Sequence, residues 1–168
     1  MNEKFFNDKN PIVQLEIKDF GKIDIQIFED VAPITAQNFL NLVDEKFYDG
    51  LIFHRIIEGF MIQGGDPTGT GAGGSKKQIK GEFITNNIDN PIKHVRGVIS
   101  MARTMNPNSA SSQFFIMHKD APHLDGSYAA FGQVVNEIEV IDKIASVKTD
   151  YNDRPLSDVI ISKARRIK

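Results

Sequence analysis

The chain has no cysteine among its 168 residues. Disulfide scaffolds, thiol chemistry and Cys-ligated zinc are therefore excluded. An excess of either charge is missing too. Twenty basic and 22 acidic side chains leave a formal charge of −2 with the four His neutral. That balance supplies no general pull toward nucleic acid or anionic membrane. No apolar stretch approaches the ~20 residues needed to span a bilayer, and Met1 to Asp8 hold no apolar signal-peptide core. Internal repeats, low-complexity tracts and linkers are absent. The expectation is a soluble, cytoplasmic protein without membrane or nucleic-acid partners, and a monomer.

What is present is ordinary globular material, 40% hydrophobic and 25% charged, which argues against disorder. A chain of this length buries roughly 70% of its unfolded surface, whereas two separate cores would each be marginal. One domain over 1–168 is expected.

Alternation with a period of two marks Val13, Leu15 and Ile17, then Ile23, Ile25 and Ile27 after Asp19-Phe20-Gly21. This predicts a β-hairpin with one buried face. Pro33 followed by Ile34, Phe39, Leu40, Leu42 and Val43 predicts a helix over about 32–46. Further strand-like runs cover 51–57, 60–64, 96–102, 112–117 and 128–135. A second helix fits Ile138, Ile141, Ile144 and Ala145, and a last strand 158–165. Seven or eight strands with two widely separated helices predict a mainly β protein, a closed antiparallel barrel or sandwich rather than βαβ units.

Several motifs fail on context. Gly69-Thr70-Gly71-Ala72-Gly73-Gly74 matches G-x-G-x-x-G, but no helical periodicity follows, so a mobile surface loop is expected in place of a nucleotide cradle. His54, His94, His118 and His123 form no i, i+4 pair and have no partner at ligand spacing, so no metal is expected. No G-x-S-x-G elbow exists for a serine hydrolase. Lys163, Arg165, Arg166 and Lys168 read as a solvated terminal strand.

Three stretches divide poorly into inside and outside. In Phe53 through Asp66, alternation places Met61 and Gln63 on one face and Ile62 on the other. In Ser112 through Met117, Phe114 and Ile116 point inward, leaving Gln113 and Phe115 opposite. Pro122-His123-Leu124-Asp125-Gly126 is a tight turn. An outward face carrying Phe60, Met61, Phe115 and Leu124 is a sticky patch that monomers rarely leave without a partner. By spacing alone, Arg55 reads as a surface ion-pair partner of Glu58, and Phe60 and Phe115 as core.

These stretches resemble the cyclophilin family of peptidyl-prolyl cis–trans isomerases. The specific pieces are Phe53-His54-Arg55-Ile56-Ile57, Gln63-Gly64-Gly65-Asp66, Ser100-Met101-Ala102-Arg103, Ser112-Gln113-Phe114-Phe115-Ile116 and Leu124-Asp125-Gly126. Ser100 to Thr104 and Tyr128 to Gly132 look like bacterial members. The resemblance implies a closed eight-stranded antiparallel barrel capped by two α-helices, with a substrate groove on its outside. It implies Arg55 as the catalytic residue and Phe60, Met61, Phe115 and Leu124 as the lining of a proline pocket. Gln63, Gln113 and the backbone at Ala102 and Arg103 would hold the peptide, and His123 and Tyr128 would stand at the rim. His54 would be a hydrogen-bonded structural residue. Implied partners are proline-containing peptides in unfolded or folded proteins, with no cofactor. His123 stands where eukaryotic members have Trp and Tyr128 where they have His, so cyclosporin is expected to bind weakly. The rival expectation is a proline-peptide binding module or chaperone without turnover.

Overall fold

Alternating apolar residues build the first hairpin. The computed structural model describes residues 2–168 and places β1 at Ile12–Ile17 and β2 at Gly21–Ile27. Val13 faces Ile25 and Leu15 faces Ile23 across the pair. The chain continues through α1 (Pro33–Asp44), β3 (Phe53–Ile57), β4 (Met61–Gly64), β5 (Val98–Met101), β6 (Phe114–Met117), β7 (Ala130–Asn136), α2 (Glu139–Ala145) and β8 (Ile161–Arg166). All eight strands join one antiparallel sheet in the order β3-β4-β6-β5-β7-β2-β1-β8.

The sheet curls until its two edges meet. An isolated bridge, Ile52 to Ile160, joins them, supported by Gly50 N–H donating to Ile161 O at 2.7 Å, Phe53 N–H to Val159 O at 2.9 Å and Ile161 N–H to Leu51 O at 2.8 Å. That seam explains why the runs expected at 51–57 and 158–165 begin later, at Phe53 and Ile161. Residues 51, 52 and 160 make the closing contact and no continuous ladder.

The helix expected over 32–46 is shorter by three residues. Glu45 N–H closes on Asn41 O, and Lys46 turns left-handed at φ 61°. Its N-terminus has no local cap. The buried Glu82 carboxylate supplies one from a distant loop, accepting from Thr35 N–H at 2.6 Å and Thr35 Oγ1 at 2.7 Å.

Alternation sorts the strand side chains into two apolar bodies. The interior holds Leu15, Ile25, Phe39, Ile62, Phe114, Ile116 and Phe131, with both helices contributing their apolar faces. The barrel is therefore filled. A second cluster lies outside the sheet: Phe28, Met61, Ile92, Val98, Phe115, Met117, Ala121, Leu124 and Ala130, flanked by Phe60, Ala102 and Tyr128. The division of Met61 and Phe115 from Ile62, Phe114 and Ile116 follows the expected alternation.

Candidate active site

Register decides which side chains meet on the outer face. Arg55 pairs with Gln63, Gln63 with Phe115, Phe115 with Ser100, and Ser100 with Ala130. Residues paired across adjacent strands point to the same side of a sheet. One row thus runs across β3, β4, β6, β5 and β7, from the exposed Arg55 guanidinium past the buried Phe115 ring to the buried Ala130. The neighbouring row sets Ile57 beside Met61 and Met117.

Arg55, Phe60, Met61, Gln63, Ala102, Arg103, Phe115, Leu124 and Tyr128 line one cavity of about 150 Å³. Its floor is apolar, with Met61, Phe115 and Leu124 buried. Tyr128 meets Phe115 edge-on at 5.8 Å. Gln113 lies in the adjoining cavity of about 500 Å³, which shares Gln63, Ala102 and Arg103 and is walled by Gly71 to Ser75. His123 is exposed on its turn, its ring 5.8 Å from that of Phe60.

A polar relay crosses this surface in one direction. Arg55 Nη1 donates to Gln63 Oε1 at 3.4 Å, and Gln63 Nε2 to Gln113 Oε1 at 3.0 Å. Gln113 Nε2 donates to the carbonyls of Gly71 and Gly73 at 2.9 and 2.7 Å. Arg55 makes no ion pair with Glu58 among the described residues, so the reading from spacing alone does not hold. Arg103 turns away from a free position: its guanidinium donates to Ser127 O and Thr104 O and lies between the Phe83 and Tyr128 rings. Ala102 N–H is already engaged by Gln113 O at 3.0 Å.

The glycine-rich segment is a surface loop, as expected, wrapped around one buried carboxylate. Asp66 is 1% exposed and accepts from the amides of Thr68, Thr70, Gly71 and Gly73 and from the Thr68 hydroxyl. Burial alone would raise its carboxyl, but those bonds outweigh it and bring it down to about 2. Gly73 approaches closely: a Cβ there would stand 2.3 Å from Asp66 Oδ1.

Behind Phe115 sits a buried group that spacing did not disclose. His94 Nε2 lies 2.9 Å from Ser100 Oγ and His94 Nδ1 3.0 Å from Asp125 Oδ1, with the imidazole stacked on Phe115 at 6.1 Å. Burial depresses the His94 imidazole against the opposing pull of Asp125. The geometry copies a Ser-His-Asp triad, yet Ser100 and His94 are 0% and 1% exposed, so no substrate reaches the hydroxyl. The trio fixes the pocket floor. His54 differs from expectation: it is buried, its Nδ1 has no hydrogen-bond partner, and burial lowers its imidazole. No group of three His, Asp or Glu side chains able to hold a metal occurs among the described residues.

The model described as cyclophilin type peptidyl-prolyl cis-trans isomerase/CLD matches residues 12–166, and the chain belongs to that family. Peptidyl-prolyl cis-trans isomerase CYP18-1 of Arabidopsis thaliana is 45% identical over 146 residues, 86% of this chain and 89% of that protein. Peptidyl-prolyl cis-trans isomerase ppi1 of Schizosaccharomyces pombe is 46% identical over 145 residues, covering 86% and 92%. These relatives are eukaryotic, against the bacterial likeness expected at Ser100 to Thr104 and Tyr128 to Gly132. Among solved structures, a Cryptosporidium parvum cyclophilin type isomerase superposes with a TM-score of 0.87 at 32% identity, covering 95% of this chain and 98% of that one. The same protein solved in the presence of the dipeptide Ala-Pro gives 0.86, covering 94% and 99%.

Proposed function

We propose that this family member isomerises Xaa–Pro bonds with Arg55 as its catalytic residue and without a cofactor. The observation that carries the reading is the position of Arg55: an exposed guanidinium, aimed by Gln63, at the rim of an apolar floor made by Met61, Phe115 and Leu124.

Rotation about the prolyl amide breaks C–N resonance across a barrier near ~20 kcal/mol. No nucleophile, proton transfer or metal is needed. The protein must bind the twisted amide better than either planar form. Twisting pyramidalises the nitrogen and returns its lone pair, which then accepts a hydrogen bond that the planar states cannot. A guanidinium suits this task because it stays charged and presents rigid donors. The cavity holds the proline ring, and its apolar floor favours the twisted amide, which is less charge-separated than the planar one. Gln63 and Gln113 hold the flanking peptide. A rate gain of roughly 10⁵ requires only about 7 kcal/mol of such differential binding.

The substrates of this reading are proline-containing segments of unfolded or folded proteins, handled by a monomer acting as one unit over 1–168. No described helix is long and apolar enough to cross a membrane. A cytoplasmic location is part of the proposal, checked by cell fractionation.

The decisive experiment follows cis–trans exchange in a short Ala-Pro-Phe peptide with wild type and Arg55→Ala side by side. The variant loses roughly 10²–10³ in kcat/KM, as for one charged transition-state donor, while its thermal unfolding stays put because Arg55 is exposed. EDTA leaves the wild-type rate intact. Full activity in the variant overturns the role of Arg55, and peptide binding without turnover by wild type favours the binding-module alternative.

A further inference from the structure

Phe60 reaches the cavity from the turn between β3 and β4, and that turn is tied to α2 through one imidazole. His118 is 7% exposed and follows β6 directly. Its Nδ1 accepts from Gly59 N–H at 2.8 Å, so Nδ1 bears no proton. Its Nε2 lies 3.1 Å from Asp142 Oδ1, so Nε2–H donates to that carboxylate. Burial opposes the Asp142 charge, but the bonds from Arg96 and His118 outweigh it and hold the carboxyl below its usual range. Asp142 stands on α2, whose Val140, Ile141, Ile144 and Ala145 are packed in the interior. The same short segment holds Phe60 from the backbone, with His118 N–H donating to Phe60 O at 2.8 Å.

Backbone bonds hold the two ends of the turn, Phe60 N–H donating to Ile57 O at 3.0 Å and Phe60 O accepting from His118, while its tip is unpacked. Gly59 sits at φ +81° with no neighbour within 4 Å of where a Cβ would be, and Glu58 and Gly59 are exposed. We propose that His118 is a positioning residue for isomerisation: as the Nε2–H tautomer it bridges Gly59 to Asp142 and fixes the turn that aims Phe60 at the substrate proline. Nothing in the reaction touches His118 itself. It acts through Phe60, so the inference rests on the assignment of Phe60 to the proline pocket.

Two isosteres separate positioning from bulk stability. In His118→Asn the amide Oδ1 takes the place of Nδ1 and still accepts from Gly59, but the reach to Asp142 is lost. In His118→Gln the terminal amide takes the place of Nε2 and keeps Asp142, while Gly59 loses its acceptor. Peptide kinetics should show KM raised roughly three- to tenfold by His118→Gln, the equivalent of one hydrogen bond. The change in kcat should be smaller, and His118→Asn should lie nearer wild type. Made on top of Phe60→Ala, His118→Gln should add nothing further. A merely structural histidine would lower the unfolding temperature in both variants without this split in KM, and equal KM values overturn the proposal. If Phe60→Ala alone leaves KM unchanged, the pocket assignment fails and this inference with it. If Phe60→Ala raises KM and His118→Gln does not, only the role of His118 fails. Nitrogen-15 NMR of wild type offers a check free of variants: Nδ1 should resonate as an unprotonated acceptor and Nε2 as protonated, and the opposite tautomer overturns the bridge.

Discussion

At position 123 an imidazole stands beside Phe60, tilted 31° from it, on an exposed turn. An indole there would add apolar face and one N–H donor. His123→Trp should therefore tighten cyclosporin binding while peptide turnover stays within a few fold, and titration of both proteins decides it; equal affinities mean that residue 123 does not border the bound ligand. The roles of single residues were unevenly legible. Outward placement of Met61, Gln63 and Phe115 followed from alternation because a strand has only two faces. Arg55 beside Gln63 did not, since cross-strand register is invisible in a single run of sequence. His94, Ser100 and Asp125 were hidden for the same reason: they come together only when β5 and the turn after β6 meet. His54 was expected to hold a hydrogen bond, and its Nδ1 has none.

Elements carry the next level of meaning, and the segment 65–74 shows it best. Its glycines satisfy a nucleotide pattern, yet their use is to let the chain wrap the Asp66 carboxylate, with four amides converging on it. The carbonyls of Gly71 and Gly73, presented by that wrap, orient Gln113, which orients Gln63 and through it Arg55. Asp66 is therefore linked through this relay to the Arg55 guanidinium, the group proposed to act on the prolyl nitrogen. Asp66→Asn places an NH₂ among amide donors, leaving buried groups unpaired at a cost of about 1–3 kcal/mol. Urea unfolding should show that loss, and kcat/KM should fall several fold because the relay slackens. Gly73→Ala should act likewise, its Cβ colliding with Asp66. A variant with normal unfolding and full activity would disconnect the wall from the site. Strands and helices were read from periodicity to within a few residues, and this segment as a surface loop, whereas its wrap around Asp66 was not read, since no local periodicity reports a buried carboxylate.

On the scale of the whole molecule, stability and catalysis should part company as pH changes. Burial holds the His54 and His94 imidazoles below their ordinary value of 6.5. Below that value the unfolded chain binds protons that the native state refuses, so stability rises with pH there. Their contribution is complete above about pH 6.5 and is lost as pH falls from there toward the native values. Asp66, at about 2 in the fold against an ordinary 3.8, adds a second loss as pH drops below 3.8. On the alkaline side, burial raises the Tyr48 hydroxyl, which donates to Ser112 O, above its usual 10.0. Its contribution is present below that value and is lost as pH climbs through the higher native one. Urea midpoints should therefore form a plateau from about pH 7 to about pH 9, with a fall at pH 5. The proposed proton-free rotation predicts a different curve. The amide does not titrate, and a guanidinium keeps its charge, so kcat/KM per folded molecule should stay nearly flat from about pH 6 to about 8.5. Measuring both curves on one preparation separates the two effects. A steep bell in kcat/KM, with the urea plateau intact, would demand an acid and a base in the chemistry and would remove Arg55 as the sole agent of rotation.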